Sequence, residues 1–362
     1  MTINLRKKLK ETQMKDFCYV NWGNTNITKA SYVPNGYPAF SASGQDGFLD
    51  KYEFDRDAII LSAIGARCGR IFFAINKWTA IKNTIVIYPE DNNNCKFLFY
   101  YLSDEKKFPK RGGAQPFISM GDVRKIKVLL PSLTEQKEIA EILSKVDEDI
   151  EKTDKIIRQT KNLKKGLVKE LLVKGEERRI KDVANINPQQ INPLNTPEAN
   201  FNYIDIASVK NNVITEVKKI IGKNAPSRAR RLIKTGDIII STVRPNLKGY
   251  TYITENYSNS LCSTGFCVLR GATNKVDSKF LYYVISNDGF TEYLIGKTTG
   301  SNYPAVNPND IKDYIFFLPD IDEQKNIGMV LSKIDEKIDI YDGIKLKLEL
   351  LKKGLMQDLL NN

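Results

Sequence analysis

Two short stretches carry the side chains with the most chemistry to offer. One is Ser227-Arg228-Ala229-Arg230-Arg231; the other holds Arg244, Asn246 and Lys248, directly after the apolar run 236–241. A guanidinium presents a fork of donors that fits guanine O6/N7 or a phosphate, and a side-chain amide fits adenine N6/N7. Taken alone, the arginine cluster reads equally well as a solvated surface run. The loop of Arg244 favours function, because a buried strand delivers cation and amide side chains together. Arg67 and Arg70 hold the matching place nearer the N-terminus, in a glycine-rich turn after the run 57–62. Arg111 and Gln115 flank the glycine pair 112–113, and Asn302 and Tyr303 follow Gly300-Ser301. Such turns let backbone approach a phosphate or base, or are simply tight turns. The chemistry on offer is polyanion and base-edge recognition.

Bond-breaking chemistry finds little support. The chain has no histidine, so Ser-His-Asp and Cys-His triads and any histidine base are excluded. Gly-x-x-x-x-Gly-Lys-Ser/Thr, Asn/Asp-Pro-Pro-Tyr/Phe, a glycine-rich cofactor loop and a carboxylate–lysine nuclease cluster are all missing. The five cysteines (Cys18, Cys68, Cys95, Cys262, Cys267) form no Cys-x-x-Cys, which argues against zinc and for a reducing cytoplasm. No metal or cofactor is expected, and the chain should bind without reacting. No apolar run approaches a membrane span, and the basic lead 1–13 lacks the core of a signal peptide.

The element that must position these loops is the stretch 130–172. Pro131 stops what precedes it, and Ser132 or Thr134 can cap a helix whose first turn holds Glu135. Ile139, Leu143, Val146, Ile150, Ile157, Leu163, Leu167 and Leu171 then recur mostly three or four apart between Lys/Glu faces. About 40 residues at 1.5 Å rise make a rod of roughly 60 Å. Such a rod needs a partner helix. The partner lies in the same chain: shifted by 188 positions, the stretch returns as 318–360, with 21 identities in 43 positions and no gap. Ile327, Leu331, Ile334, Ile338, Leu351 and Leu355 are its seam. The blocks between the rods repeat too, Lys15-Asp16 against Lys181-Asp182 and Lys96-Phe97-Leu98 against Lys279-Phe280-Leu281. The chain is an internal duplication. The Asn- and Pro-rich stretch 185–200 reads as a loose surface loop.

Net charge is +12, and its location matters more than its size. Residues 1–130 carry 20 basic and 12 acidic side chains and residues 176–318 carry 18 and 13, whereas 131–175 has 10 and 9 and 319–362 has 7 and 9. The positive excess therefore sits wholly in the two globular blocks, the footprint of two phosphate-binding bodies joined by neutral rods. That distribution disfavours a coiled-coil scaffold with no DNA function. The missing motifs disfavour a single-chain DNA-modifying or DNA-cleaving enzyme.

Long strings here resemble the specificity (S) subunits of type I restriction-modification systems, over essentially the whole chain. Glu135-Gln136-Lys137 through Leu143-Ser144-Lys145-Val146-Asp147, and Glu323-Gln324-Lys325 through Leu331-Ser332-Lys333-Ile334-Asp335, resemble that family's helix starts. Ala225-Pro226-Ser227-Arg228 through Arg244-Pro245-Asn246 resembles its recognition-domain signature. The resemblance implies an α+β fold with two homologous target recognition domains (1–130 and 176–318) separated by two long antiparallel coiled-coil helices (131–175 and 319–362) about a pseudo-twofold axis. It also implies a non-catalytic, DNA-binding subunit that reads a split sequence and works with two modification (adenine methyltransferase) subunits and with restriction subunits. One departure is glycine at 328 and 343, where the first helix has Ala140 and Lys155. Interior glycine costs about 1 kcal/mol, so equal rigidity of the two rods is not expected.

Overall fold

A computed structural model describes residues 10–210, 212–298 and 304–360. The chain forms two compact units, Met1–Asp154 with Ile344–Asn362, and Lys155–Gly343. Each contains a globular part and a stretch of both long helices. The central helix spans Leu133–Leu171 and the C-terminal helix Ile321–Leu360. Ser132, not Thr134, caps the first. Its Oγ accepts from Glu135 N at 3.3 Å, and Glu135 Oε2 accepts from Ser132 N at 2.9 Å, a reciprocal capping box. Asp320 Oδ1 does the same work for the second helix, accepting from Asp322 N and Glu323 N.

The globular parts share one topology. In the first, an antiparallel sheet runs Cys18–Trp22, Thr84–Pro89, Ala58–Ser62, Ile71–Ala74. In the second, the same order is Ala184–Ile186, Phe266–Gly271, Ile238–Ser241, Tyr250–Tyr252. A second four-stranded sheet follows in each. Its inner pair is parallel, Tyr37–Ser41 beside Lys77–Ala80 and Asn200–Ile204 beside Leu261–Ser263. The apolar strands are buried on both faces because each sheet is covered twice. Ile59 and Leu61 pack toward the helix Cys95–Leu102, while Ala58 and Ile60 pack toward Phe40 and Trp78. Ile238 and Ile240 face Phe280 and Leu281 of the helix Ser278–Ser286, and Ile239 faces Ile204 and Cys262. The period of two in side-chain direction divides one apolar run between two cores.

The stretch 185–200 is less loose than its composition suggests. Ile191 N donates to Arg230 O and Leu232 N to Gln189 O, so its middle pairs with a sheet edge. The lead 1–13 ends in a strand, Lys10–Gln13, paired with Lys127–Leu130 just before the central helix.

Within each unit the helices run antiparallel: Asp147 pairs with Lys352 and Asp154 with Lys345 in one, Lys161 with Asp342 and Lys164 with Asp335 in the other. Ile139, Leu143, Val146, Ile327, Leu331 and Ile338 are buried, and Ile150, Leu167, Ile334 and Leu355 are half-buried. Leu163 and Leu351 depart from the expected seam, at 57% and 51% exposed. Their neighbours Lys164 and Lys352 take the inward place, where Asp335 and Asp147 wait at 2.5 and 2.6 Å. Gly328 does not break its helix. A Cβ there would lie 3.0 Å from Asp277 Oδ1 and 3.2 Å from Phe280 N, so the glycine lets the helix approach the start of Ser278–Ser286.

Candidate nucleic-acid interface

In the first unit one end of the main sheet gathers four loops. The strand Ala58–Ser62 delivers Ala63, whose N–H donates to Asn83 O at 3.0 Å and whose carbonyl accepts from Ile118 N at 2.8 Å. Gly65 N donates to Pro116 O at 2.9 Å, and Arg111 and Phe117 exchange two backbone hydrogen bonds of 2.8 Å. Arg67 Nη1 donates to Ser43 O at 3.3 Å. Loops 42–44, 65–70, 82–83 and 111–117 thus converge, and Arg67, Arg70, Arg111 and Gln115 are all exposed there. Arg111 Nη2 donates to Asp122 Oδ1 at 2.6 Å. Hydrogen bonds from Ser119 and then Arg111 hold that carboxyl below its usual range, so it stays charged and keeps the guanidinium aimed.

The second unit repeats the plan. Ile238–Ser241 delivers Thr242, whose N–H donates to Gly265 O and whose carbonyl accepts from Val306 N, both at 2.9 Å. Thr242 therefore stands where Ala63 stands, Gly265 where Asn83 does, and Val306 where Ile118 does. Arg244 N donates to Pro304 O, and Thr264 N donates to Arg228 O, which brings Arg228 to the same edge. Arg244 and Lys248 bracket the turn Pro245–Leu247, both left-handed, with φ of 50° and 49°. Each such non-glycine residue costs of order 1–3 kcal/mol, strain that collects at ligand clamps. Lys248 donates to Asp288 Oδ1 at 2.6 Å, and that hydrogen bond holds the Asp288 carboxyl low. Arg244, Asn246 and Ser227 are exposed. Asn302 and Tyr303 lie outside the described residues.

Arg231 does not belong to this face. It is only 8% exposed, in the strand Ala229–Leu232 opposite Cys262, and its Nε and Nη1 have no hydrogen-bond partner. Adjacent strand residues point to opposite faces; Arg230 is half-buried and Arg231 turns inward. Burial pulls its ionisation below the ordinary guanidinium range and pushes the Cys262 and Cys267 thiols up to about 12.

Some surface features had no expectation attached. Phe117, 40% exposed, lies beside Arg111, and Leu247, 61% exposed, crowns the turn between Arg244 and Lys248. Lys29, Ser43, Lys82 and Asn83 line a hollow of about 390 Å³. The Lys-Asn pair between two strands was the signal available for the hollow; nothing local marked Phe117. Among the described residues no group of three His, Cys, Asp or Glu side chains is placed to hold a metal ion.

The duplicated units correspond to a known family. The model of the type I restriction modification DNA specificity domain matches the chain twice, over residues 6–160 and 173–350. The chain belongs to this family. A type I restriction enzyme MjaVIII specificity subunit from Methanocaldococcus jannaschii is 26% identical over 336 residues, covering 83% of this chain and 78% of the relative. The EcoDI specificity subunit from Escherichia coli is 24% identical over 338 residues, covering 80% and 73%. The crystal structure of a type I restriction-modification S subunit from M. genitalium superposes with a TM-score of 0.72 at 17% identity, covering 99% of this chain and 98% of that one. The two matched copies coincide with the two repeats of globular part and helix. No helix among the described residues is long and apolar enough to cross a membrane.

Proposed function

We propose that this chain is the DNA-reading subunit of a type I restriction-modification complex and has no catalytic role of its own. The observation that carries this is the repetition of one loop-bearing sheet end with different side chains on it. Arg67, Arg70, Arg111 and Gln115 occupy it in one unit, and Arg228, Arg244 and Asn246 in the other. Equal frames with unequal readers suit an asymmetric target in two parts, each base-edge contact being local to its own domain. The positive excess of both globular blocks supplies phosphate affinity to both halves.

Residues 1–130 and 176–318 act as the target recognition domains, and 131–175 and 319–362 as the helices between them. The exposed apolar and charged faces of these helices suit docking by other chains. Two modification subunits and the restriction subunits are the partners, matching relatives that are specificity subunits of type I enzymes. The complex works in the cytoplasm, in keeping with five free cysteines.

Co-expression with the modification subunits, followed by genome-wide mapping of methylated adenines, tests the reading. The expected result is one asymmetric two-part sequence, and no methyl transfer by the chain alone with duplex DNA, S-adenosylmethionine and Mg²⁺. Turnover by the purified single chain would overturn it.

A further inference from the structure

Two sequence motifs remain without a role once the loops are assigned to DNA: the Glu-Gln-Lys at the start of each helix and the Leu-Lys-Lys-Gly near its end. They meet on the short helix of each globular part. Gln136 is buried; its Oε1 accepts from Asn94 N at 2.8 Å and its Nε2 donates to Pro131 O at 3.0 Å. Asn94 is the N-cap of Cys95–Leu102. Toward the other end of that short helix, Tyr100 donates its phenol proton to Asp147 Oδ2 at 2.8 Å. Lys352, from the C-terminal helix, reaches Asp147 Oδ1 at 2.6 Å and lies 5.5 Å from the Tyr100 ring centre.

The second unit repeats each contact. Gln324 Oε1 accepts from Asp277 N at 2.8 Å, and Asp277 is the N-cap of Ser278–Ser286. Tyr283 donates to Asp335 Oδ2 at 2.9 Å, and Lys164 reaches Asp335 Oδ1 at 2.5 Å, 5.2 Å from the Tyr283 ring centre. A single attachment would be a pivot. Gln136 and Asp147 are eleven residues apart, about 16 Å along a helix axis at 1.5 Å rise. Two attachments at that separation, with a lysine from the other helix as a brace, hold the short helix against rotation. The lysines and aspartates remain about one-third exposed. Ion pairs in such places add little to stability, so their repetition in both units points to geometry.

Resting on the function proposed above, we infer that Gln136, Tyr100, Asp147 and Lys352, with their counterparts Gln324, Tyr283, Asp335 and Lys164, are positioning residues. They fix each recognition domain on its own stretch of helix pair and so restrict the complex to one spacer length between half-sites. A shift of one base step is about 3.4 Å along a strand, so telling spacers apart by one base pair requires domains held against small rotations. None of these residues touches DNA.

The test uses the complete chain assembled with its modification subunits, and reads methylated adenines across a genome. Tyr100→Phe with Asp147→Asn is expected to give methylation also at spacers one base pair longer or shorter, with unchanged half-site sequences. Discrimination between spacer lengths should fall about tenfold, the worth of one charge-assisted hydrogen bond. Asp147→Lys and Lys352→Asp should each relax the spacer, and the double reversal, which remakes the ion pair but leaves the Tyr100 phenol without its acceptor, should restore it in part. A merely structural role would lower the melting temperature and leave the spacer single. That outcome, or altered half-site bases, overturns the inference. If Asp147→Asn does not fold, Tyr100→Phe with Tyr283→Phe, which keeps every ring and charge, decides the matter by the same readout. Failure of the parent complex to methylate any two-part site would instead overturn the functional reading.

Discussion

Arg228 and Arg231 are three positions apart and have opposite surroundings, which sets two outcomes in contrast. Arg228→Ala should weaken binding to all duplex sequences alike and lower the salt slope by about 1 if it holds a phosphate, as measured by titrations across salt concentrations. Arg231→Met should leave that slope unchanged. It should raise the melting temperature or leave it as it is, because replacing a buried charge whose Nε and Nη1 lack hydrogen-bond partners by an apolar chain is often neutral or stabilising. Arg244→Ala, on the strained turn, is expected to cost about 1–3 kcal/mol and relax one position of one half-site if the side chain reads guanine; methylation mapping shows which position. A pH effect arises at Asp46. Burial opposes its charge, but hydrogen bonds from Lys29, Ser41 and Tyr32 outweigh burial and depress its ionisation. A depressed carboxyl stabilises the fold above its unfolded value near 3.8 and loses that contribution as pH falls through the folded value. Asp46→Asn should therefore lower the melting temperature at neutral pH and flatten its decline in acid.

At the scale of elements, the two unmatched glycines of the C-terminal helix should respond in opposite directions. Gly343 has nothing within 4 Å of an added Cβ, so Gly343→Ala gains the helix propensity of about 1 kcal/mol. For a unit of this size that raises the melting temperature by roughly 2–4 °C. Gly328→Ala gains the same propensity but drives a methyl toward Phe280 N and Asp277 Oδ1. Backbone cannot yield there without moving the N-terminus of Ser278–Ser286, so a net loss of stability is expected. Thermal unfolding of both variants separates the cases. Helix propensity alone does not separate the two sites, since it counts a glycine by itself and ignores the neighbour it admits.

For the whole molecule the informative quantity is the spacing of half-sites. Each rod is roughly 60 Å at 1.5 Å per residue, while one turn of B-DNA is about 34–36 Å. Half-site centres about one turn apart on one face of the duplex fit within such a rod, and two turns do not. Adding about one helical turn to both helices together should lengthen the non-specific spacer and leave the half-site bases alone. An unchanged spacer with full activity would show that the helices do not measure DNA. This differs from the Tyr100 and Asp147 variants, which should broaden the spacer without shifting its mean.

Much of this protein is legible in its sequence, because duplication, helix periodicity and charge blocks are properties of order along a chain. The shift of 188 positions, a cap near residue 132 and the strand-to-loop pattern at 58–70 and 238–248 all follow from local rules of spacing and turn chemistry. Tertiary structure decided which faces those residues take. Whether Arg230 or Arg231 meets solvent depends on where a second sheet lies, and whether Leu163 or Lys164 enters the seam depends on a carboxylate about 170 positions away. The gathering of Ser43, Arg67, Asn83 and Arg111 at one sheet end joins segments linked only through backbone hydrogen bonds between strands and loops. Periodicity marks a stripe as apolar, but the partner across the interface chooses between an apolar contact and an ion pair, and that partner is fixed only when the chain has folded.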